Sequence, residues 1–359
     1  MRNGEPVLTR CAKDGGRGAS EMVVAPSRSR LRRIEPMFGP MPNGVSHIGA
    51  FEPIGQIWSG VAYQSKVPGG FGSVEAVYNV PNVGLPSAAA TYLKSNKWNS
   101  RWDSQLEISQ WVGFDPGTPA LFQGGFDTGG SVFGTTPPKA LPTSYAWWEV
   151  VFGGPWVEDW VLIGSKLKQV VGGPKSGVSR TQLSNFPVYP GDLVKVSIEK
   201  INPSVFSKVK KSVKGAAKFT YVNFTRGLIT SFTLGATTPL VGQQVEWIVE
   251  APTTPGNTPG GAVPAYGAVY FDQARCTFGG DALPAKGGAS FKYPKTFGAG
   301  EFKPGTTNKW SISTSWINMT TGKGKFFAKG WHANEVVSRP VVLADDLIRL
   351  EYVLDVNAW

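Results

Sequence analysis

The chain has 359 residues, with 45 glycines, 28 prolines, only 17% charged residues and a formal net charge of +11. That length supports one large β domain or two smaller ones, and the Gly/Pro content with 13 Trp and 20 Phe suits short strands and turns over helices. Apolar runs are broken every few residues by Gly, Pro or a charge, which excludes a membrane-spanning helix, and two cysteines, Cys11 and Cys276, exclude a disulfide framework.

Residues 1–50 are rich in Gly, Arg, Ser and Pro without periodicity and are predicted to be a disordered basic leader. No apolar segment precedes Met37, so no signal peptide is visible and the compartment stays open. Positive charge gathers at Ser27–Arg33 and at Lys208, Lys210, Lys211, Lys214 and Lys218. Neither cluster interleaves aromatics for base stacking, so solvated loops are favoured over a nucleic-acid surface.

Residues 51–359 read as one domain. Ile57–Tyr63 and Gly72–Val80 alternate apolar and polar residues, the second stopping at Pro81, as strands do. A polar loop, Pro86–Gln105, leads to Trp111–Asp127, predicted as two strands around a Pro/Gly turn. Tyr145–Phe152 is the next strand, followed by a long Gly/Ser/Lys connection to the turn Val188–Asp192 and the strand Leu193–Ile198. Lys200–Lys218 fits a short helix or a surface insertion. Phe219–Leu234 reads as a hairpin, with further strands at Val245–Glu250 and Tyr266–Phe271. A second connection, Gly279–Asn308, precedes the closing strands Trp310–Trp316, Lys325–Trp331 and Leu347–Leu354. This pattern predicts an all-β, antiparallel sandwich or barrel.

Elimination narrows the chemistry. The two histidines, His47 and His332, lie far apart in the chain. Gly-x-Ser-x-Gly, Cys-x-x-Cys, His-Glu-x-x-His and phosphate-loop motifs are all missing. A hydrolase of this sequence would work with carboxylates, amides and water, without metal or cofactor. Phe126-Asp-Thr-Gly129 resembles half of an aspartic-protease signature, but that chemistry needs two carboxylates sharing a proton and no second copy occurs. A period of two puts Glu246, Ile248 and Glu250 on one strand face and Val245, Trp247 and Val249 on the other. Phe122 likewise opposes Gln123, with Gly124 and Gly125 leaving room for a ligand backbone. From spacing alone, ordinary half-exposed strand residues remain the favoured reading.

Eight segments in order, Ile57–Gly60, Tyr78–Pro81, Trp111–Asp115, Leu121–Asp127, Tyr145–Glu149, Pro190–Asp192, Glu246–Glu250 and Tyr266–Phe271, together resemble the glutamic peptidases (eqolisins, peptidase family G1). The resemblance spans about Gln56 to Ala274. It implies a sandwich of two large antiparallel sheets, of concanavalin A-like or jelly-roll type, with an active site on an outer sheet face. It further implies pepstatin-insensitive endopeptidase activity on polypeptide, secretion, and an inhibitory propeptide, for which residues 1–50 are the candidate. The family's catalytic pair maps onto Gln123 and Glu246. Trp58, Trp111, Asp115, Asp127, Tyr145, Trp147, Glu149 and Glu250 map onto substrate-binding or supporting positions, with Glu250 the alternative carboxylate if the strand register is shifted. A non-catalytic sandwich binding glycan or protein through an aromatic groove, and a shell protein whose basic arm meets nucleic acid, are the competing classes.

Overall fold

The computed structural model describes residues 7–9, 22–24, 31–34, 38–39, 58–66, 70–83, 106–115, 120–132, 140–152, 159–163, 166–170, 178–207, 212–250, 265–279, 294–320 and 336–353. His47, His332, Cys11, the loop 86–105, the expected strand 325–331 and Lys208, Lys210 and Lys211 lie outside them.

The strands are, in chain order, β1 (Val7–Thr9), β2 (Met22–Val24), β3 (Arg32–Arg33), β4 (Phe38–Gly39), β5 (Trp58–Ser65), β6 (Phe71–Asn79), β7 (Leu106–Phe114), β8 (Ala120–Val132), β9 (Ala140–Phe152), β10 (Asp159–Ile163) and β11 (Lys166–Val170). They continue as β12 (Val178–Pro187), β13 (Leu193–Lys200), β14 (Gly215–Asn223), β15 (Leu228–Ala236), β16 (Gln244–Glu250), β17 (Ala268–Phe278), β18 (Lys295–Gly298), β19 (Ile312–Ile317), β20 (Met319–Thr320), β21 (Val336–Ala344) and β22 (Leu347–Tyr352).

Two large sheets result. The smaller has the order β19-β5-β16-β7-β8-β9-β12-β4 and the larger β11-β10-β15-β14-β13-β6-β17-β22-β21-β20, with β18 added to β17 and β3 to β15. Among the described residues, every pairing is antiparallel except that of β3 with β15. The sheets face each other across one apolar core that takes Tyr63, Phe114, Phe122, Phe126, Trp148 and Trp247 from the smaller sheet. Tyr78, Phe219, Tyr221, Phe232 and Phe271 come from the larger. Burying large side chains of this kind stabilises by roughly 1.5–3 kcal/mol each before entropy is charged. Rings meet edge-on across the gap, Tyr78 with Phe126 at 5.6 Å and Phe126 with Tyr221 at 5.8 Å. Their polar ends are not wasted: Tyr78 Oη donates to Gln110 O at 2.9 Å, Tyr221 Oη to Trp147 O at 2.6 Å and Trp247 Nε1 to Glu75 O at 2.9 Å. These bonds tie the two sheets together at fixed positions. The expected sandwich of two large antiparallel sheets is what the chain forms.

Two segments differ from the sequence-based reading. The Gly/Ser/Lys connection before Val188 contains β10, β11 and β12. From Thr181 on, the buried residues of β12 are Thr181, Leu183 and Phe186, and the period of two breaks where the register shifts between Gln182 and Pro187, so alternation alone misses it. Among the described residues of Lys200–Lys218, a 3-10 turn, Pro203–Phe206, is capped by Asn202 and buries Phe206 against Val213 and Ala216. Of the leader, Arg32–Arg33 lie beside β15, Phe38–Gly39 pair with β12, and Ile34 packs on the core. The turn before β13 is held by Asp192, whose Oδ2 accepts from Tyr189 N, Asn223 Nδ2 and Arg226 Nε at 2.7–3.0 Å. Gly191 in that turn has φ +88°, open to glycine without strain.

Candidate active site

Register brings the expected residues into three rows on the outer face of the smaller sheet. Glu149, Gln123, Gly113, Glu246 and Ala62 form the first row, across β9, β8, β7, β16 and β5. Trp147, Gly125, Trp111, Ile248 and Gly60 form the second, and Tyr145, Asp127, Ser109, Glu250 and Trp58 the third. Because side chains alternate along a strand, all three rows point away from the sandwich core. Gln123 and Glu246 are over a hundred residues apart in sequence, yet one strand separates them, and the residue between them has no side chain. Two strand spacings put their Cα atoms roughly 10 Å apart. Glu250 stands two rows away, level with Asp127.

This face is not the half-exposed surface that strand spacing suggests. Ala62, Trp111, Tyr145, Trp147, Ile248 and Ile317 form an apolar cluster of their own, with Trp58 packed against it. Among these side chains Gln123 is 3% exposed and Glu246 is fully buried. The aromatic side chains shield the polar ones, which a period-two reading cannot anticipate.

The polar contacts are specific. Gln123 Nε2 donates to Glu149 Oε2 at 2.7 Å. Trp111 Nε1 donates to Glu250 Oε2 at 2.9 Å, and the Trp111 ring meets that of Trp58 edge-on at 5.1 Å. Tyr145 Oη donates to Asp127 Oδ2 at 2.7 Å. Both oxygens of Glu246, and Oε1 of Gln123, are buried without a hydrogen-bond partner among the described residues. Burial, then the carboxyls of Glu250 and Asp115, push the Glu246 carboxyl well above its usual range.

Asp115 sits apart from the rows. It closes β7 at φ +62° and accepts the backbone N–H groups of Gly242, Gln243 and Gln244 at 2.6, 2.5 and 2.9 Å. Burial raises its carboxyl and these amides pull it back down. These bonds tie the end of β7 to the residues that lead into β16, the strand of Glu246.

The glycines act differently from the reading above. A Cβ on Gly124 would run into Tyr221 Oη in the core, and one on Gly125 would run into Gln110 O and lie 2.6 Å from Trp111 Cβ. Their space is filled by protein. Gly113, which spacing did not single out, is the glycine that matters to the row. A Cβ there would lie 2.9 Å from Trp111 Cζ3 and 3.2 Å from Leu121 Cδ1. Counting back through the β7–β8 hairpin from Gln123 would have found it.

Comparison with known proteins agrees with the motifs. The model of the Peptidase A4 family matches residues 56–296. Among solved structures, Scytalido-glutamic peptidase with a peptide-based transition-state analogue is similar at 16% identity, over 83% of this chain and 98% of that one, with a TM-score of 0.43. A search of curated proteins finds no match. The family match takes in every strand from β5 to β17, and with them all three rows. The chain therefore belongs to the Peptidase A4 family, the glutamic peptidases whose motifs it carries in order, and is a peptidase acting on polypeptide.

Proposed function

We propose that the protein is an endopeptidase in which Glu246 and Gln123, one strand to either side of Gly113, act together on a water and a peptide carbonyl. The observation that carries this reading is the first row: a carboxylate with no hydrogen-bond partner among the described residues and an amide face the same way, with a glycine between them. Glu246 takes a proton from the water as its oxygen bonds to the carbonyl carbon, then delivers that proton to the amine nitrogen as the C–N bond breaks. A desolvated glutamate suits both halves, since its raised proton affinity makes it a stronger base and keeps the proton available for the leaving group. Gln123 stabilises the tetrahedral oxyanion. Glu149 accepts one N–H of the Gln123 amide, which fixes its orientation and leaves the second N–H to donate. Trp111 holds Glu250 through Nε1, so the second carboxylate on β16 is engaged elsewhere.

The test is digestion of unfolded casein by Glu246→Gln, Gln123→Ala and Glu250→Gln variants. Glu246→Gln is expected to abolish turnover, and Gln123→Ala to lower kcat on the order of 10²–10³-fold, as loss of an oxyanion donor does. Glu250→Gln is expected to keep most of the activity. Wild-type rates from Glu246→Gln would overturn the assignment.

A further inference from the structure

Lys200 closes β13 in the larger sheet, yet its ammonium reaches the segment through which the chain enters β16 of the smaller one. Its Nζ donates to Val241 O at 2.8 Å. The N–H of the next residue, Gly242, donates to Asp115 Oδ2 at 2.6 Å. Val241 O and Gly242 N belong to one peptide group, so a cation from the larger sheet and a carboxylate from the smaller hold its opposite ends. A charge at each end polarises the peptide and makes both bonds stronger than those between neutral groups.

The rest of this short segment is engaged as well. Asp115 also accepts from Gln243 N and Gln244 N, and three backbone amides donate to the remaining carbonyls: Phe71 N to Gly242 O at 2.9 Å, Ser65 N to Gln243 O at 2.8 Å and Asp115 N to Gln244 O at 2.9 Å. Among the described residues, Lys200 and Asp115 are the side chains that hold it, one from each sheet. Gly242 makes room for the first. It has φ +74°, and a Cβ there would lie 2.5 Å from Phe71 O and 3.2 Å from Lys200 Nζ. Burial lowers the Lys200 ammonium from its ordinary range and the carboxylate of Asp115 holds it up. From Gln244, β16 runs only two residues, roughly 7 Å, to Glu246.

We propose that Lys200 is a positioning residue of the peptidase site, holding the entry to β16 from the larger sheet and, through it, the carboxyl of Glu246. Without the ammonium, Val241 O loses its donor, Asp115 loses a cation beside it, and the peptide group between them is held at one end only. β5 and β7 still pair with β16 on either side, which limits the displacement at Glu246 to a fraction of an ångström. A misplacement of about 1 Å at reacting groups costs on the order of 10²-fold, and a partial one costs correspondingly less. A slower chemical step with substrate binding kept is the signature of such a role. The proposal rests on Glu246 being the base.

The test uses the full chain and initial rates of casein digestion, with Lys200→Met, Lys200→Gln and Lys200→Arg beside wild type and Glu246→Gln. Each protein is assayed well below its thermal midpoint, so that the folded enzyme alone is compared. Lys200→Met is expected to lower kcat roughly five- to twentyfold with KM within about twofold of wild type. Lys200→Gln is read in the same way, so that one variant that fails to fold does not decide the matter. Lys200→Arg keeps a charged donor and is expected to return kcat to within about threefold of wild type. A lower thermal midpoint with wild-type kcat and KM in the Met or Gln variant would mean a purely structural lysine and overturn the proposal. So would an Arg variant as slow as the Met variant. These results with an inactive Glu246→Gln sink the lysine alone, whereas wild-type turnover by Glu246→Gln removes the base and the proposal with it.

Discussion

Replacing Glu246 by glutamine tests the burial of the site independently of its catalysis. The carboxyl is fully buried, and desolvation, followed by Glu250 and Asp115, raises it well above its ordinary value of 4.5. In the unfolded chain it ionises near that ordinary value, whereas the folded site holds the proton to higher pH. Folding therefore takes up a proton between the two values. The stability tied to Glu246 is complete below about 4.5 and is lost as pH rises through the folded-state value, by about 1.4 kcal/mol for each pH unit inside the window. Glutamine has nearly the same shape and does not ionise. Relative to wild type, Glu246→Gln is expected to gain thermal stability as pH rises, with the midpoint difference widening by roughly 2–4 °C per pH unit. Titrating groups remote from Glu246 are present in both proteins and cancel to first order in the difference. Scanning calorimetry of the pair from about pH 4 to pH 8 provides the measurement. A difference that stays constant across this range would mean that Glu246 titrates as a solvated glutamate, and the buried-base argument would fall.

Two further outcomes follow from the geometry around that residue. Asp115→Ala leaves the amides of Gly242, Gln243 and Gln244 without their acceptor and is expected to cost about 2–4 kcal/mol in urea unfolding, with activity falling as β16 loses its anchor; a loss below about 0.5 kcal/mol would show that the clamp is dispensable. Gly113→Ala places a methyl in the row between Gln123 and Glu246, against Trp111 and Leu121. It is expected to lower kcat/KM on casein by roughly ten- to a hundredfold, because a displacement of about 1 Å at reacting groups costs that much; unchanged kinetics would place the substrate elsewhere on the sheet.

Legibility differed from one element to the next. The strand at Val245–Glu250 was readable down to its faces: Trp247 in the core and Glu246 opposite it follow from alternation alone. The β14–β15 hairpin was equally plain. By contrast, β12 hides behind a register shift, and β10 and β11 sit in a stretch that composition marks as connection. Local pattern marked Asp115 only as a polar residue beside an aromatic, and the family resemblance gave it a substrate-binding or supporting position. Its three bonds to residues 242–244 depend on a contact across more than a hundred residues, which no local pattern encodes.

The sequence by itself determined the fold class, the absence of His- and Cys-based motifs and the polar residues worth watching, because alternation, turn chemistry and residue inventory are local properties. Tertiary structure alone decided two things. Antiparallel register put Gln123 and Glu246 in one row with Gly113 between them, since pairing is set by how β7 packs between β8 and β16. The aromatic cluster on the outer face buried both, and desolvation is a property of surroundings that a residue's own neighbours in sequence do not supply.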